Sequence, residues 1–278
     1  MTETYYAKGI TAQNLRAFLE LWSLLAADIE DAKKTINECS DRLFKKGDDQ
    51  FSWCHLYEIP AKNLVSTMFN DLMCFVPQDQ LSSWYMQMAN CPGNLGELPN
   101  IYGKVSRHFN ERPNPTNEDL EVLRPSLPTL SASFIAMEYS LYCVLYYGCF
   151  LNDLIARVRA DDDEALFDAI RVDPMVVGCR PIIERISKAR RLQDKDFLNE
   201  LKKTQSGVSE KRKQINFQKM RLVLKVLADA GATRLSDRQL HELFIEELKL
   251  YTANSKGGGV EKALRKFADT YMKKNATT

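Results

Sequence analysis

Apolar residues recur in steps of three and four from Leu15 to Leu43, through Phe18, Trp22, Leu25, Ile29, Ala32, Ile36 and Cys39. That spacing keeps one stripe on one helix face and holds an a/d seam over four heptads. Thr11 stands where a helix cap belongs, and Gly47 stands where the helix should stop, after Lys46. Leu19, Leu21 and Leu24 widen the apolar face in the first half. The first half therefore reads as buried in a bundle, and the second as a contact between two helices. The contact is either a hairpin within the chain or a homo-oligomer formed through the 15–43 seam.

The stretch 131–160, SASFIAMEYSLYCVLYYGCFLNDLIARVRA, has a different pattern. Apolar and aromatic residues fall on every side, and Glu138 is the sole charge between Arg124 and Asp153. A helix without a polar face is covered all round, so this run is expected to be the central helix of a bundle. Its length approaches that of a membrane span. Glu138 and the mid-run tyrosines Tyr139, Tyr142, Tyr146 and Tyr147 suit a protein interior better than lipid, and no membrane association is expected.

Prolines and glycines divide the remainder. Pro60 opens a helix to about Phe75, Pro77 stops it, and another helix covers roughly 79–89. Residues 91–130 carry six prolines and read as a long irregular connection. Asp161, Asp162, Asp163 and Glu164 precede a helical pattern, where negative side chains favour a helix start. Asp173-Pro174 marks a turn, Pro181 a further helix, 196–204 a short one, and Gln205-Ser206-Gly207 a linker. Beyond it, helices are expected from Ser209 to Gly231, after the Ser236/Gln239 capping box, and after Gly257-Gly258-Gly259. No stretch alternates long enough for a sheet. The expectation is an all-α protein, a multi-helix bundle around the 131–160 helix, with an acidic helical domain over 1–207 and a basic three-helix module over 208–278.

Charge sharpens that division. Residues 1–179 hold 15 Lys and Arg against 25 Asp and Glu, and residues 180–278 hold 23 against 12. A basic region of this kind suits a polyanion, with DNA or RNA foremost. The interface expected in the module comprises Lys211, Arg212, Lys213, Lys219, Lys262, Arg265, Lys266 and Lys273. Gly258 and Gly259 join them, because a glycine-rich helix start leaves N–H groups free for a phosphate.

Other chemistry is sparse. Seven cysteines show no framework spacing, and the three histidines are few for a metal site. Cys39, Cys54, His55, Cys74 and Cys91 are too irregularly spaced for a zinc motif, so no metal or cofactor is expected. P-loop, dinucleotide-binding, nucleophile-elbow and zinc-protease motifs are absent from the sequence. Glu138, Tyr142 and Tyr146 share a helical stripe. They read either as a buried carboxylate satisfied by hydroxyls or as a pocket with a raised-pKa acid. The opening MTETYYAKGI lacks the regions of a secretory signal, and reduced thiols suit a cytoplasmic location.

Residues 161–189, DDDEALFDAIRVDPMVVGCRPIIERISKA, and 235–251, LSDRQLHELFIEELKLY, resemble stretches of uncharacterised bacterial all-helical proteins. The resemblance implies a bacterial source and carries no activity or site. The reading that follows is a non-enzymatic accessory or regulatory protein binding nucleic acid through its basic module. One alternative is a protein-interaction or scaffold subunit of a larger assembly. Another is an enzyme with a Glu138/Tyr pocket.

Overall fold

The computed structural model describes residues 4–43, 52–61, 63–64, 124–204, 206–252 and 259–275, with isolated positions 100, 103, 116, 118 and 121. The helices expected over 60–75 and 79–89, and most of the connection 91–130, lie outside the described residues. The fold is all-α, with strand limited among the described residues to one small hairpin. Two compact units divide the chain: Met1–Phe51 with Phe69–Ala132, and Ser52–Met68 with Ser133–Thr278. The expected 207/208 linker does not separate them, since 208–278 belongs to the same unit as 133–207.

In the first unit, β1 (Tyr5–Ala7) pairs antiparallel with β2 (Ile10–Thr11), and α1 (Ala12–Leu43) follows. Thr11 does cap α1. Its backbone N–H donates to Asn14 Oδ1 at 3.0 Å, while Asn14 N–H donates to Thr11 Oγ1 at 3.4 Å. Leu15, Ala17 and Leu19 are buried, and the seam positions Phe18, Trp22, Leu25 and Ile29 are half-buried. Ala32, Ile36, Cys39 and Leu43 lie outside the described side chains.

The expected central run, which belongs to the second unit from Ser133 on, is folded as two helices instead of one. α2 (Leu127–Tyr147) ends at Gly148, and α3 (Leu151–Arg159) leaves at 80° to it. Gly148 has φ +75° and donates its N–H to Val144 O at 2.9 Å, a left-handed residue closing a helix end. A Cβ there would lie 2.7 Å from Tyr271 Cδ1, so the last helix approaches where only glycine leaves room. Asp153 then starts α3 by accepting the Phe150 N–H at 3.0 Å. Among the described residues no single helix is long and apolar enough to cross a membrane. The run passes that test only as the bent pair.

Each of the three consecutive aspartates has its own task. Asp161 takes φ +63° and turns the chain out of α3. Asp162 caps α4 (Asp163–Val172), accepting the Ala165 N–H at 3.0 Å and the Arg157 guanidinium at 2.5 and 3.0 Å. Asp163 receives Arg185 from α5 (Arg180–Arg191) through two bonds of 2.7 Å. α6 (Lys195–Thr204) packs on both α4 and α5.

A segment from far upstream completes this core. Tyr57 and Leu64 are wholly buried among α2 to α6 residues such as Leu151, Leu166 and Ile182. Asp173, itself buried, accepts from Trp53 Nε1 at 2.8 Å and Tyr57 OH at 2.6 Å. Its other oxygen takes the Met175 N–H at 2.9 Å and starts the 3-10 turn Pro174–Gly178. Asn152 donates to Leu56 O at 2.9 Å and Ile59 O at 2.7 Å, and accepts from Ser140 Oγ at 3.0 Å.

The basic module adds α7 (Glu210–Lys213), α8 (Ile215–Asp229), α9 (Asp237–His241) running into a π-helical turn Glu242–Glu247, and α10 (Val260–Asn275). The helix expected over Ser209–Gly231 breaks at Gln214, whose backbone is extended (ψ 123°). Ser236 and Gln239 form the expected reciprocal cap, at 3.1 and 2.9 Å. Met220, Leu224, Leu227, Leu240, Phe244, Leu264 and Ala268 are buried, and α10 packs on both α8 and α9.

Two stability tests follow from these ends. Gly148→Ala should cost more than Gly231→Ala. Both add the left-handed penalty of about 1–2 kcal/mol, but only Gly148 also meets a ring. Equal melting temperatures for the two variants would contradict the close approach. Asp162→Ala should cost about 0.5–2 kcal/mol through the lost cap, whereas Asp162→Asn should keep the cap and lose the charge. Burial alone would raise the Asp162 pKa, but the Ala165 N–H and Arg157 outweigh it and hold the carboxyl below its ordinary 3.8. Its contribution is then complete above that ordinary value and is lost as pH falls through the lower folded one. The acid limb of a melting-temperature profile should be shallower for Asp162→Asn than for wild type.

Candidate nucleic-acid interface

A cation serves a polyanion when it is exposed and not already bound by the protein's own acceptors. On that criterion the expected interface separates into two groups. Lys211, Lys262 and Lys266 are exposed and make no side-chain hydrogen bond or ion pair among the described residues. Lys219 is half-buried and also has no such partner there. Lys213 is exposed but pairs with Glu210 at 2.9 Å, and that hydrogen bond raises its pKa.

Arg212 and Arg265 are committed to the fold. Arg212 lies over the Tyr147 ring at 4.3 Å and donates to Tyr146 O at 3.2 Å. Arg265 donates to Asp237 Oδ1 at 2.7 Å and to Leu235 O at 2.5 Å, tying α10 to the start of α9. Gly259 starts α10, its carbonyl accepting the Ala263 N–H at 2.9 Å. Gly258 and the Lys273 side chain lie outside the described residues.

Arg221, a position not expected to matter, is the most buried of these cations, at 3% exposure. It donates to Leu145 O at 2.5 Å, Arg212 O at 2.9 Å and Tyr271 OH at 3.1 Å, with no carboxylate partner among the described residues. Burial lowers its pKa, and the nearby Tyr271 hydroxyl partly offsets that. Arg212 and Arg221 thus place two guanidinium groups on the last carbonyls of α2, where the helix dipole favours positive charge.

A second exposed basic run lies before the expected boundary at 207. Residues 180–207 hold eight Lys and Arg against four Asp and Glu. Arg180 pairs with Glu184, Arg185 with Asp163 and Asp194, and Lys203 with Glu200. Lys188, Arg190, Arg191, Lys195 and Lys202 are exposed and have no such partner among the described residues. The run SKARRLQDK lies in the basic part of the chain, 180–278, but before the expected domain boundary at 207 and outside the expected interface.

Two clefts border these surfaces. One, of about 570 Å³, lies between Glu58, Arg159, Arg180, Glu184 and Lys188. Arg159 and Arg180 pair with its own Glu58 and Glu184, and Arg185 with Asp163 and Asp194 outside it, which leaves Lys188 as its cation without a partner among the described residues. The other, of about 510 Å³, lies between Tyr147, Asp168, Arg171, Ser209 and Arg212 and is compensated in the same way by Asp168. Neither is lined by Glu138, Tyr142 or Tyr146. Glu138 is buried at 8% exposure. Tyr142 stacks on Tyr146 at 6.0 Å, and burial raises the Tyr146 pKa. Among the described residues no three His, Cys, Asp or Glu side chains converge as metal ligands. Cys39, Cys74 and Cys91 lie outside the described side chains. Comparison of the chain with family models, curated proteins and solved structures gives no match.

The division between committed and free cations is measurable as stability. Arg265→Ala should cost about 1–3 kcal/mol, because it leaves Leu235 O without its donor. Lys262→Ala and Lys266→Ala should each stay within about 0.5 kcal/mol of wild type. Denaturant melts showing the reverse order would mean that Arg265 is not a clamp.

Proposed function

We propose that the chain is a bacterial, cytoplasmic, non-enzymatic accessory or regulatory protein that binds nucleic acid through its basic C-terminal region. The observation carrying this reading is the exposure of Lys211, Lys262 and Lys266 without carboxylate partners among the described residues, the last two on a helix whose opposite face is buried through Leu264 and Ala268. An uncompensated lysine on a surface gains by meeting phosphate, since each contact releases a condensed counterion. No base-reading element is assigned, so the reading is of backbone contact.

A second reading has its own support. Met175, Val177 and Ile183 are 42%, 46% and 48% exposed, on a 3-10 turn and the helix packed beside it. Apolar side chains gathered in this way suit docking by another protein, and would make the chain a subunit of a larger assembly.

Salt dependence separates the two. Fluorescence anisotropy with labelled duplex and single-stranded DNA and RNA should give a steep fall of log affinity with log salt for phosphate contact. An apolar docking surface has a shallow dependence. Lys211→Ala/Lys262→Ala/Lys266→Ala should melt like wild type and flatten the slope by up to about three units. Absence of binding at low salt would refute the nucleic-acid reading.

A further inference from the structure

We infer that the main phosphate-contacting surface is the exposed face of the α5–α6 hairpin, with Lys188, Arg190, Arg191, Lys195 and Lys202 as the contacting side chains. The inference rests on the nucleic-acid reading above and moves its centre outside the last three helices. Five cations without partners among the described residues stand within fifteen consecutive positions, against one acid in the same condition, Asp196. The remaining acids of the hairpin are occupied: Glu184 by Arg180, Asp194 by Arg185 and the Phe197 N–H, Glu200 by Arg171 and Lys203.

The backbone holds these cations in an ordered array. Lys188 and Arg191 are one helical turn apart near the end of α5. Lys195 and Lys202 are seven residues apart in α6, two turns along one face and about 10 Å along the axis. Asn199, exposed between them, adds an uncharged donor. The opposite faces are buried through Ile182, Ala189 and Phe197, and Arg185 braces the two helices by stacking on Phe197 at 3.8 Å while bonding Asp194. The array is therefore rigid on its inner side and free on its outer side. Little conformational entropy remains to be lost beyond the side chains themselves.

The chemistry favours a nucleic-acid backbone over an anionic membrane. A membrane-surface helix inserts an apolar face beneath its cations. Here Ile182 and Ala189 of α5 are in the core, and the large apolar side chains exposed along the hairpin are Ile183 near its start, at 48%, and Leu192 at its tip, at 65%, nine residues apart and forming no continuous apolar face beneath the cations. Three lysines and two arginines spread over two helices match spaced phosphates better than a single bound ion.

The test uses the full chain with Lys188, Arg190, Arg191, Lys195 and Lys202 all changed to Gln, which keeps helix propensity and removes charge. Binding of a labelled DNA duplex and a labelled single-stranded RNA is followed by anisotropy from about 0.05 to about 0.2 M salt. The Kd should rise at least about tenfold, and the salt slope should fall by up to about four to five units. That exceeds the effect of Lys211→Ala/Lys262→Ala/Lys266→Ala. A thermal melt checks the fold, and Arg190→Gln/Arg191→Gln serves if the fivefold variant melts early, with an expected slope change of up to about two units. If wild type binds, and the hairpin variants bind equally well while the Lys211/Lys262/Lys266 variant weakens, this inference is wrong and the broader reading stands. If wild type binds no nucleic acid at low salt, both fail. If it instead binds phosphatidylserine vesicles through the same five residues, the surface belongs to a membrane.

Discussion

Asp173 is the interaction on which the second unit depends. A carboxylate at 1% exposure must be satisfied by hydrogen bonds, or its burial costs several kcal/mol. It takes an indole N–H and a phenol O–H from Trp53 and Tyr57, and a backbone N–H from Met175. Burial, then the carboxylate itself, push the Tyr57 pKa far upward, so the phenol remains a donor. Asn152 does the same work on the other side by donating to the carbonyls of Leu56 and Ile59. Glu58 binds the Arg180 N–H at 2.8 Å and the Arg159 guanidinium at 3.2 Å. A short segment with little regular structure is thus held by polar bonds on several sides, with Tyr57 as its apolar anchor.

The junction of the two cores in this unit follows a related logic. Arg221 is a buried cation that no carboxylate among the described residues neutralises. Carbonyl dipoles at the end of α2, the Tyr271 hydroxyl and the Phe267 and Tyr271 rings stand in for one. Gly148 lets Tyr271 reach that junction, and Lys225 covers Phe150 beside it at 5.3 Å. The bend between α2 and α3 is therefore fixed by the last helix of the chain as much as by its own glycine. A basic sequence at this place records helix capping, and only part of the positive charge of the module remains available to a ligand.

What was legible in the sequence was what is local. The caps at Thr11 and Ser236, the buried character of 131–159 and the all-α class follow from spacing and side-chain type over a few residues. Gly148 was visible, but its role as a break needed the approach of Tyr271, 123 positions away. Gln214 interrupts a helix with no proline or glycine to announce it. Of the expected interface, Lys211, Lys262 and Lys266 are where a charge count would place them, whereas Arg212 and Arg265 have tertiary partners that no periodicity reveals. The cations of α5 and α6 are counted in the basic part of the chain, but which of them lack partners among the described residues depends on tertiary pairs such as Arg185 with Asp163, which sequence spacing does not reveal.

The polar anchoring of Trp53 and Tyr57 also imposes an order in time. Each unit is assembled from two stretches that interleave along the chain. The acceptor for Trp53 and Tyr57 lies 120 and 116 residues downstream. At about 5–20 residues per second, the ribosome takes on the order of ten seconds to deliver Asp173 after those aromatics emerge. During that interval an aromatic-rich stretch is synthesised and unsatisfied while residues 69–132 are still being made. The bonds that hold Trp53 and Tyr57 therefore close only after that delay, and the folding of the second unit waits on the downstream chain more than on its own first segment.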